Sequence, residues 1–258
     1  MKHLFDITGK VAVVTGGSKG IGKAIAEALA AHGARVVVAS RKLDACQAVV
    51  DGIKADGGEA TAIACNITNR PDLERLVKES EAAYGQIDIM VANAAVNPFM
   101  GSNLDIPDDA FQKIMTCNVQ SNLWLAQMII PGMQARKDGS FIIVSSIGGL
   151  KGDKALGAYA ISKAADFQLA RNLAVEFGKD NIRVNCIAPG LVKTDFAKAL
   201  WTDPERSSKR LAGTPMARLG EPEDLAGIAV YLAAPAGSWT TGQVFVVDGG
   251  VMAGATAG

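Results

Sequence analysis

"VVTGGSKGIGKAIA", residues 13–26, decides the architecture. A β-branched run ends at Thr15, glycines crowd the next seven positions, and an amphipathic helical pattern begins. A strand that runs through a glycine turn into a helix is the first half of a strand–helix–strand unit. The rest of the chain repeats the alternation. The pattern predicts strands at "VAVVT" (11–15), "ARVVVA" (34–39), "EATAIA" (59–64), "IDIMVA" (87–92), "SFIIVS" (140–145), "IRVNCI" (182–187) and "QVFVVD" (243–248). Helix-length segments lie between them at 20–32, 42–55, 71–84, 108–136 and 157–178, with another at "EPEDLAGIAVYLAA" (221–234). Strands that are apolar throughout are buried on both faces, as in a parallel sheet. The expected fold is α/β: a doubly wound, mostly parallel seven-stranded sheet with helices on both faces. No linker or repeat divides residues 1–258, so one domain is expected. The stretch 191–220 breaks the rhythm after a strand's carboxyl end and reads as a substrate loop or lid.

Composition narrows the function. Hydrophobic residues make up 49% of the chain and charged residues 20%, enough for a large core. Lys+Arg and Asp+Glu both number 26, so net charge gives no case for nucleic acid or an anionic membrane. No apolar run approaches bilayer length, and "MKHLFDITGK" does not read as a signal peptide. Cys46, Cys65, Cys117 and Cys186 are scattered, as expected of reduced core thiols in the cytoplasm. The two histidines, His3 and His32, are too few for a Ser-His-Asp triad or histidine-ligated metal, and no metal is expected. His32 precedes Gly33 at a helix end and reads as a C-cap.

The glycine loop points to an anion. Gly16, Gly20 and Gly22 permit a tight turn and close backbone approach, and the following helix presents free N–H groups to phosphate. Gly17 to Lys23 also fits most of a nucleoside-triphosphate loop, but Ala24 stands where a Mg²⁺-binding hydroxyl is required. The spacing is instead TGxxxGxG from Thr15. Together with "NAA" (93–95), Asn118, Ser146, "YAISK" (159–163) and "PGLVKT" (189–194), it resembles the ordered motifs of the short-chain dehydrogenase/reductase family, and the likeness spans residue 8 to about 250. "NAAVNPF", "RVNCIAPGLVKT" and "RLGEPEDLAGI" are similar to the family's NADP-dependent carbonyl, retinal-type reductases.

The resemblance implies a single-domain Rossmann fold and a catalytic set of Asn118, Ser146, Tyr159 and Lys163. In this reading Tyr159 exchanges a proton while nicotinamide exchanges a hydride, Ser146 bonds the carbonyl oxygen, and Asn118, within the long helix 108–136, holds a water beside the lysine. Lys163 follows Tyr159 by one helical turn on the same face. An ammonium about 4 Å away at an effective dielectric of about 20 would stabilise a phenolate by about 4 kcal/mol. The implied cofactor-binding residues are Gly16, Ser18, Lys19, Gly20, Ile21, Gly22, Ser40, Arg41, Asn66, Ile67, Asn93, Ala94, Ala95, Tyr159, Lys163, Pro189, Gly190, Val192 and Thr194. The family's usual glycine is replaced by Ala95, and its acidic residue after the third strand by Asn66.

Cofactor choice turns on the end of the second strand. Ser40 occupies the place where an NAD site carries an acid, and Arg41 follows, able to clamp a 2′-phosphate with Lys19 nearby. NADP(H) is therefore expected in preference to NAD(H). Asn97, Phe99, Leu150, Leu156, Phe196, Leu200 and Trp201 suggest a largely apolar pocket for a small hydrophobic carbonyl or alcohol substrate. The resemblance also implies a homotetramer joined through the helix carrying Tyr159 and the last strand. Two other readings share these motifs: a reductase of carrier-bound 3-oxoacyl thioesters, and a non-catalytic nucleotide-binding sensor.

Overall fold

The computed structural model describes residues 3–203, 208 and 210–254. Residues 204–207 and 209 of the expected substrate loop lie outside the described residues, as do the two chain ends. Seven strands form one sheet: β1 (Val11–Thr15), β2 (Arg35–Ser40), β3 (Glu59–Ala64), β4 (Ile89–Ala92), β5 (Gly139–Val144), β6 (Ile182–Pro189) and β7 (Val244–Val247). Their order is β3-β2-β1-β4-β5-β6-β7 and every pairing is parallel. This is the doubly wound Rossmann-type sheet expected. Every residue of β1, β4 and β5 is buried, which is why these strands read as unbroken apolar runs.

The helices are α1 (Gly20–Ala31), α2 (Leu43–Ala55), α3 (Arg70–Tyr84), α4 (Asp108–Met115), α5 (Ser121–Arg136), α6 (Gly157–Phe177), the short α7 (Lys198–Trp201) and α8 (Ala226–Ala233). Strand residues alternate between two cores. Val13, Val37 and Met90 pack with Leu73 and Leu76 of α3, Ile129 of α5 and Phe167 of α6. Ala12, Val14, Val36 and Val38 face Ile25 and Leu29 of α1, Val50 of α2 and Val230 of α8. Each such fully buried aliphatic side chain contributes roughly 2 kcal/mol, so the sheet is held from both sides. His32 is the C-cap of α1, its Nδ1 2.8 Å from the Ala28 carbonyl. Among the described residues no helix is long and apolar enough to cross a membrane.

Most predicted boundaries lie within a residue or two of those observed, and the exceptions have physical causes. The expected helix 108–136 is interrupted by a π-helical segment, Thr116–Gln120, between α4 and α5. Its wider turn carries Asn118, whose carbonyl accepts from the Asn122 side chain at 2.7 Å. The expected helix 221–234 begins instead as a 3₁₀ turn, Pro222–Leu225, closed by a capping box between Glu221 and Asp224. The fourth strand starts two residues late, and just before it the Asp88 carboxylate accepts from the Val11 N–H at 2.9 Å. The sixth runs two residues further, so Pro189 ends the strand opposite Val247.

Candidate active site

The chain order places β1 and β4 side by side, with β2 and β5 continuing in opposite directions. A crevice opens at the carboxyl ends of strands at such a reversal. Here it is a cavity of about 1200 Å³. Of the residues expected to bind cofactor, Gly16, Ser18, Lys19, Gly20, Ile21, Gly22, Ser40, Arg41, Asn66, Ile67, Asn93, Ala94, Ala95, Tyr159, Lys163 and Thr194 line it. Pro189, Gly190, Val192, Asn118 and Ser146 are not in its wall. Gly190 is pinned to the last strand instead, its N–H donating to the Val247 carbonyl at 2.9 Å. Val192 pairs with Gly220, so the two ends of the 191–220 stretch are drawn together.

The glycine turn is closed by tight contacts. A Cβ on Gly22 would stand 2.4 Å from the Gly16 carbonyl oxygen and 2.5 Å from Asn93 Nδ2. Gly16 has φ of 65°. Asn93 braces the turn, donating from Nδ2 to the Thr15 carbonyl at 2.9 Å and from its backbone N–H to Thr15 Oγ1 at 3.1 Å. The bare N-terminus of α1 thus faces the cavity at close range, a cradle that fits a dinucleotide phosphate.

The charge of the wall was not evident from the neutral chain. Lys19, Lys23, Arg41, Lys42, Lys113 and Lys193 line the cavity against Glu27, Asp195 and Glu223. Arg41 and Lys42 are exposed, and among the described residues neither side chain makes a hydrogen bond or ion pair. Lys42, Lys113 and Lys193 were missed from the sequence because nothing in their local pattern separates them from surface lysines. Lys19 differs from expectation in being engaged already: its ammonium donates to Asp195 at 3.0 Å and holds that exposed carboxyl below its ordinary range. Cys65 and Cys117 also line the wall. Burial pushes their thiols up to about 12 and about 11, so both remain neutral and unreactive.

The four residues implied as catalytic come from three elements. Tyr159 and Lys163 lie in α6, Ser146 just past β5, and Asn118 in the π segment. Tyr159 is half-buried, and its ring lies 6.1 Å from that of Phe196. Ser146 caps the 3₁₀ turn Ile147–Gly149, its Oγ accepting from the Gly148 N–H at 3.0 Å. A Cβ on Gly148 would lie 3.3 Å from Ser146 Oγ and 3.9 Å from the Tyr159 ring, so glycine keeps the space between hydroxyl and phenol open. A Cβ on Gly149 would lie 2.6 Å from the Lys163 backbone; glycine there lets the turn press against α6. Ser145, the adjacent serine, lines the cavity and donates to the Lys163 carbonyl at 2.9 Å.

Lys163 has partners that the sequence did not suggest. Its Nζ is 5.7 Å from the Tyr159 ring centroid, and it donates to Asp166 Oδ2 and the Val144 carbonyl, both at 3.1 Å. Burial disfavours the ammonium, but the Asp166 carboxylate and Tyr159 more than offset it and hold Lys163 above its ordinary value. Burial pushes the Asp166 carboxyl up, against the pull of Lys163, Asn122 and Ser145. Asn118 is fully buried: Oδ1 accepts from the Val96 N–H at 2.9 Å, and Nδ2 donates to the Val96 carbonyl and Ser162 Oγ at 3.0 Å. Its side chain therefore ties the segment after β4 to α6.

Of the residues suggested for a substrate pocket, Phe196 alone lines this cavity. Trp201 donates its indole N–H to the Thr194 carbonyl at 3.1 Å. Leu156 bridges Gly101, over which Phe99 packs, and Leu150 is exposed.

Fold and cavity together define a Rossmann-type oxidoreductase that binds a nicotinamide dinucleotide. A family model described as enoyl-(acyl carrier protein) reductase matches residues 16–252. Dehydrogenase/reductase SDR family member 4 of Bos taurus is 42% identical over 241 residues, 93% of this chain and 86% of the relative. The solved structure of a 7 alpha-hydroxysteroid dehydrogenase complexed with NADH and 7-oxo glycochenodeoxycholic acid is 38% identical, covers 97% of each chain and superposes with a TM-score of 0.93. A crystal structure of a 3-oxoacyl (acyl-carrier-protein) reductase from Agrobacterium tumefaciens C58 with NADP bound is 34% identical, covers 95% of each chain and has a TM-score of 0.90. The chain belongs to the short-chain dehydrogenase/reductase family.

Proposed function

We propose that this protein is an NADP(H)-dependent reductase of ketones or aldehydes, acting in reverse as an alcohol dehydrogenase. The observation that carries the reading is the alignment of one cavity: Arg41 and Lys42, unpaired among the described residues, at the β2 end, and Tyr159 with Lys163 at the β5 end. When bound, the nicotinamide dinucleotide supplies or accepts the hydride. Gly16, Gly20, Gly22 and the start of α1 hold its phosphates; Asn66 and Ile67 receive the adenine; Asn93, Ala94, Ala95 and Thr194 flank the remainder. No carboxylate at the end of β2 opposes a 2′-phosphate, and the Arg41 guanidinium can bind one through paired N–H groups.

Tyr159 gives its hydroxyl proton to the carbonyl oxygen as the alkoxide forms, and takes it back in the reverse direction. Ser146 Oγ already accepts from Gly148, so its own O–H is left to donate to the same oxygen. Two of the three ammonium N–H groups of Lys163 are engaged, which leaves the third for a ribose hydroxyl or water in the cavity. Asn118 acts through its brace on Val96 and Ser162. Phe196 beside the phenol favours an apolar carbonyl compound, and the segment 191–203 that carries it serves as part of a lid within a single domain. Four buried free thiols support a cytoplasmic location. Exposed Ile161 and Val175 on α6 and Val246 on β7 support a homotetramer, which sedimentation analysis would check.

The test is turnover on a panel of apolar ketones, aldehydes and 3-oxoacyl thioesters with each cofactor. NADPH is expected to give a kcat/KM at least about tenfold above NADH with free carbonyls, a difference of about 1.4 kcal/mol. NADH favoured by a similar factor would contradict the cofactor assignment. Turnover confined to carrier-linked thioesters would favour the acyl-reductase reading, and binding of NADPH without turnover of any compound would favour a sensor.

A further inference from the structure

Asp166 has no part in the chemistry described above, yet it is the one carboxylate with no exposure at all among the described residues. It follows Lys163 by three residues on α6 and does not line the cavity. Its Oδ2 accepts from Lys163 Nζ at 3.1 Å and its Oδ1 from Asn122 Nδ2 at 3.0 Å. Asn122 also donates to the carbonyl of Asn118. A connected path therefore runs from the π segment through α5 and Asp166 to the ammonium, and from there to the Val144 carbonyl at the end of β5. A buried ion pair is a costly way to hold a helix in a core, since apolar residues of similar volume usually serve as well or better. Around it α6 buries Phe167, Ala170 and Leu173. The pair's position explains it better than stability does.

We propose that Asp166 is a positioning residue: it holds the Lys163 ammonium charged and fixed at the end of β5, with its remaining N–H toward the cofactor cavity. This rests on the reading of Lys163 given above. An ammonium only 2% exposed needs a compensating charge to stay protonated. The titratable side chains acting on it are Asp166 and Tyr159 from α6 and Cys186 from β6, while Cys117 in the π segment feels it in turn. The neighbouring residues of β5 and the Ile147–Gly149 turn carry no ionisable side chain. The Cys186 thiol is pushed far up by burial and stays neutral, so it cannot replace Asp166.

The test is the pH profile of kcat for NADPH-dependent carbonyl reduction by the full-length wild type, Asp166→Asn, Asp166→Glu and Lys163→Met, with folding followed by circular dichroism. Asp166→Asn should keep the fold and a carbonyl KM within about twofold, lose at least about tenfold in kcat, and lose activity at a lower pH than wild type as the uncompensated lysine sheds its proton. Asp166→Glu, which keeps the charge but moves it by one methylene, should recover the wild-type alkaline limb with a reduced kcat. A profile for Asp166→Asn that superposes on wild type would overturn the proposal. If Asp166→Asn does not fold, Asp166→Glu decides: unchanged kcat and profile would refute positioning. Lys163→Met separates the two claims. Wild-type turnover in that variant would sink the reading of the site itself, whereas its loss beside an unperturbed Asp166→Asn would sink only the role of Asp166.

Discussion

Gly22 has no room for a side chain. The nearest obstacle is a backbone oxygen, Gly16 O at 2.4 Å from the position of a Cβ, and backbone cannot swing aside as a side-chain tip can. Gly22→Ala should therefore push α1 away from the glycine turn, a cost of about 1–3 kcal/mol for an overpacked site. The account expects a lower melting temperature and at least about tenfold weaker NADPH binding by fluorescence titration. An affinity equal to wild type would show that the turn is not the phosphate cradle. At the same scale the phenol, the ammonium and the serine hydroxyl are each fixed by a different neighbour: Phe196, Asp166 and Gly148. The YxxxK spacing made the first two legible as a pair. Asp166 was not legible, because a charged residue three positions from a lysine on a helix ordinarily reads as a solvated pair. Only the packing of α5, α6 and β5 around it takes both charges out of water.

Among the elements, the parts that position the site are the irregular ones. The π segment sets Asn118, the Ile147–Gly149 turn sets Ser146, and the 3₁₀ turn Pro222–Leu225 sets the far end of the 191–220 stretch. Hydropathy periodicity finds regular strands and helices because burial imposes the period. It is blind to a turn whose conformation depends on a distant backbone, as Gly149 depends on α6. At the far end Arg218 donates two N–H groups to the Asp224 carboxylate, at 2.6 and 2.8 Å, and the Glu221 N–H donates at 2.8 Å. Arg218 first, then the Glu221 backbone, hold the Asp224 carboxyl at about 2 against an ordinary 3.8. A lowered acid adds stability above its ordinary value and loses it as pH falls through the lowered one. Asp224→Asn should thus melt slightly below wild type at neutral pH, and the two should converge as pH falls from about 4 toward about 2. The partners are exposed, so the difference is small. A constant gap across that range would mean the pair contributes through shape rather than charge.

Across the whole molecule, one sheet divides two cores and leaves its crevice where strand order reverses. That much was present in the order of apolar runs. The charge of the crevice was not. A chain with 26 cationic and 26 acidic side chains folds so that seven of the cations and three of the acids line one cavity. Such a surplus inside a cleft concentrates the field on an anionic ligand. In the proposed reading, dinucleotide phosphates at one end and a proton donor at the other would let hydride and proton meet on one carbonyl. The central claim is that Tyr159 moves that proton, and Tyr159→Phe tests it most directly because only a hydroxyl is removed from a half-buried ring. Measured by nicotinamide absorbance on a carbonyl that the wild type reduces, Tyr159→Phe should bind NADPH within about twofold of wild type and lose at least about 100-fold in kcat. Turnover within about tenfold of wild type would contradict the account.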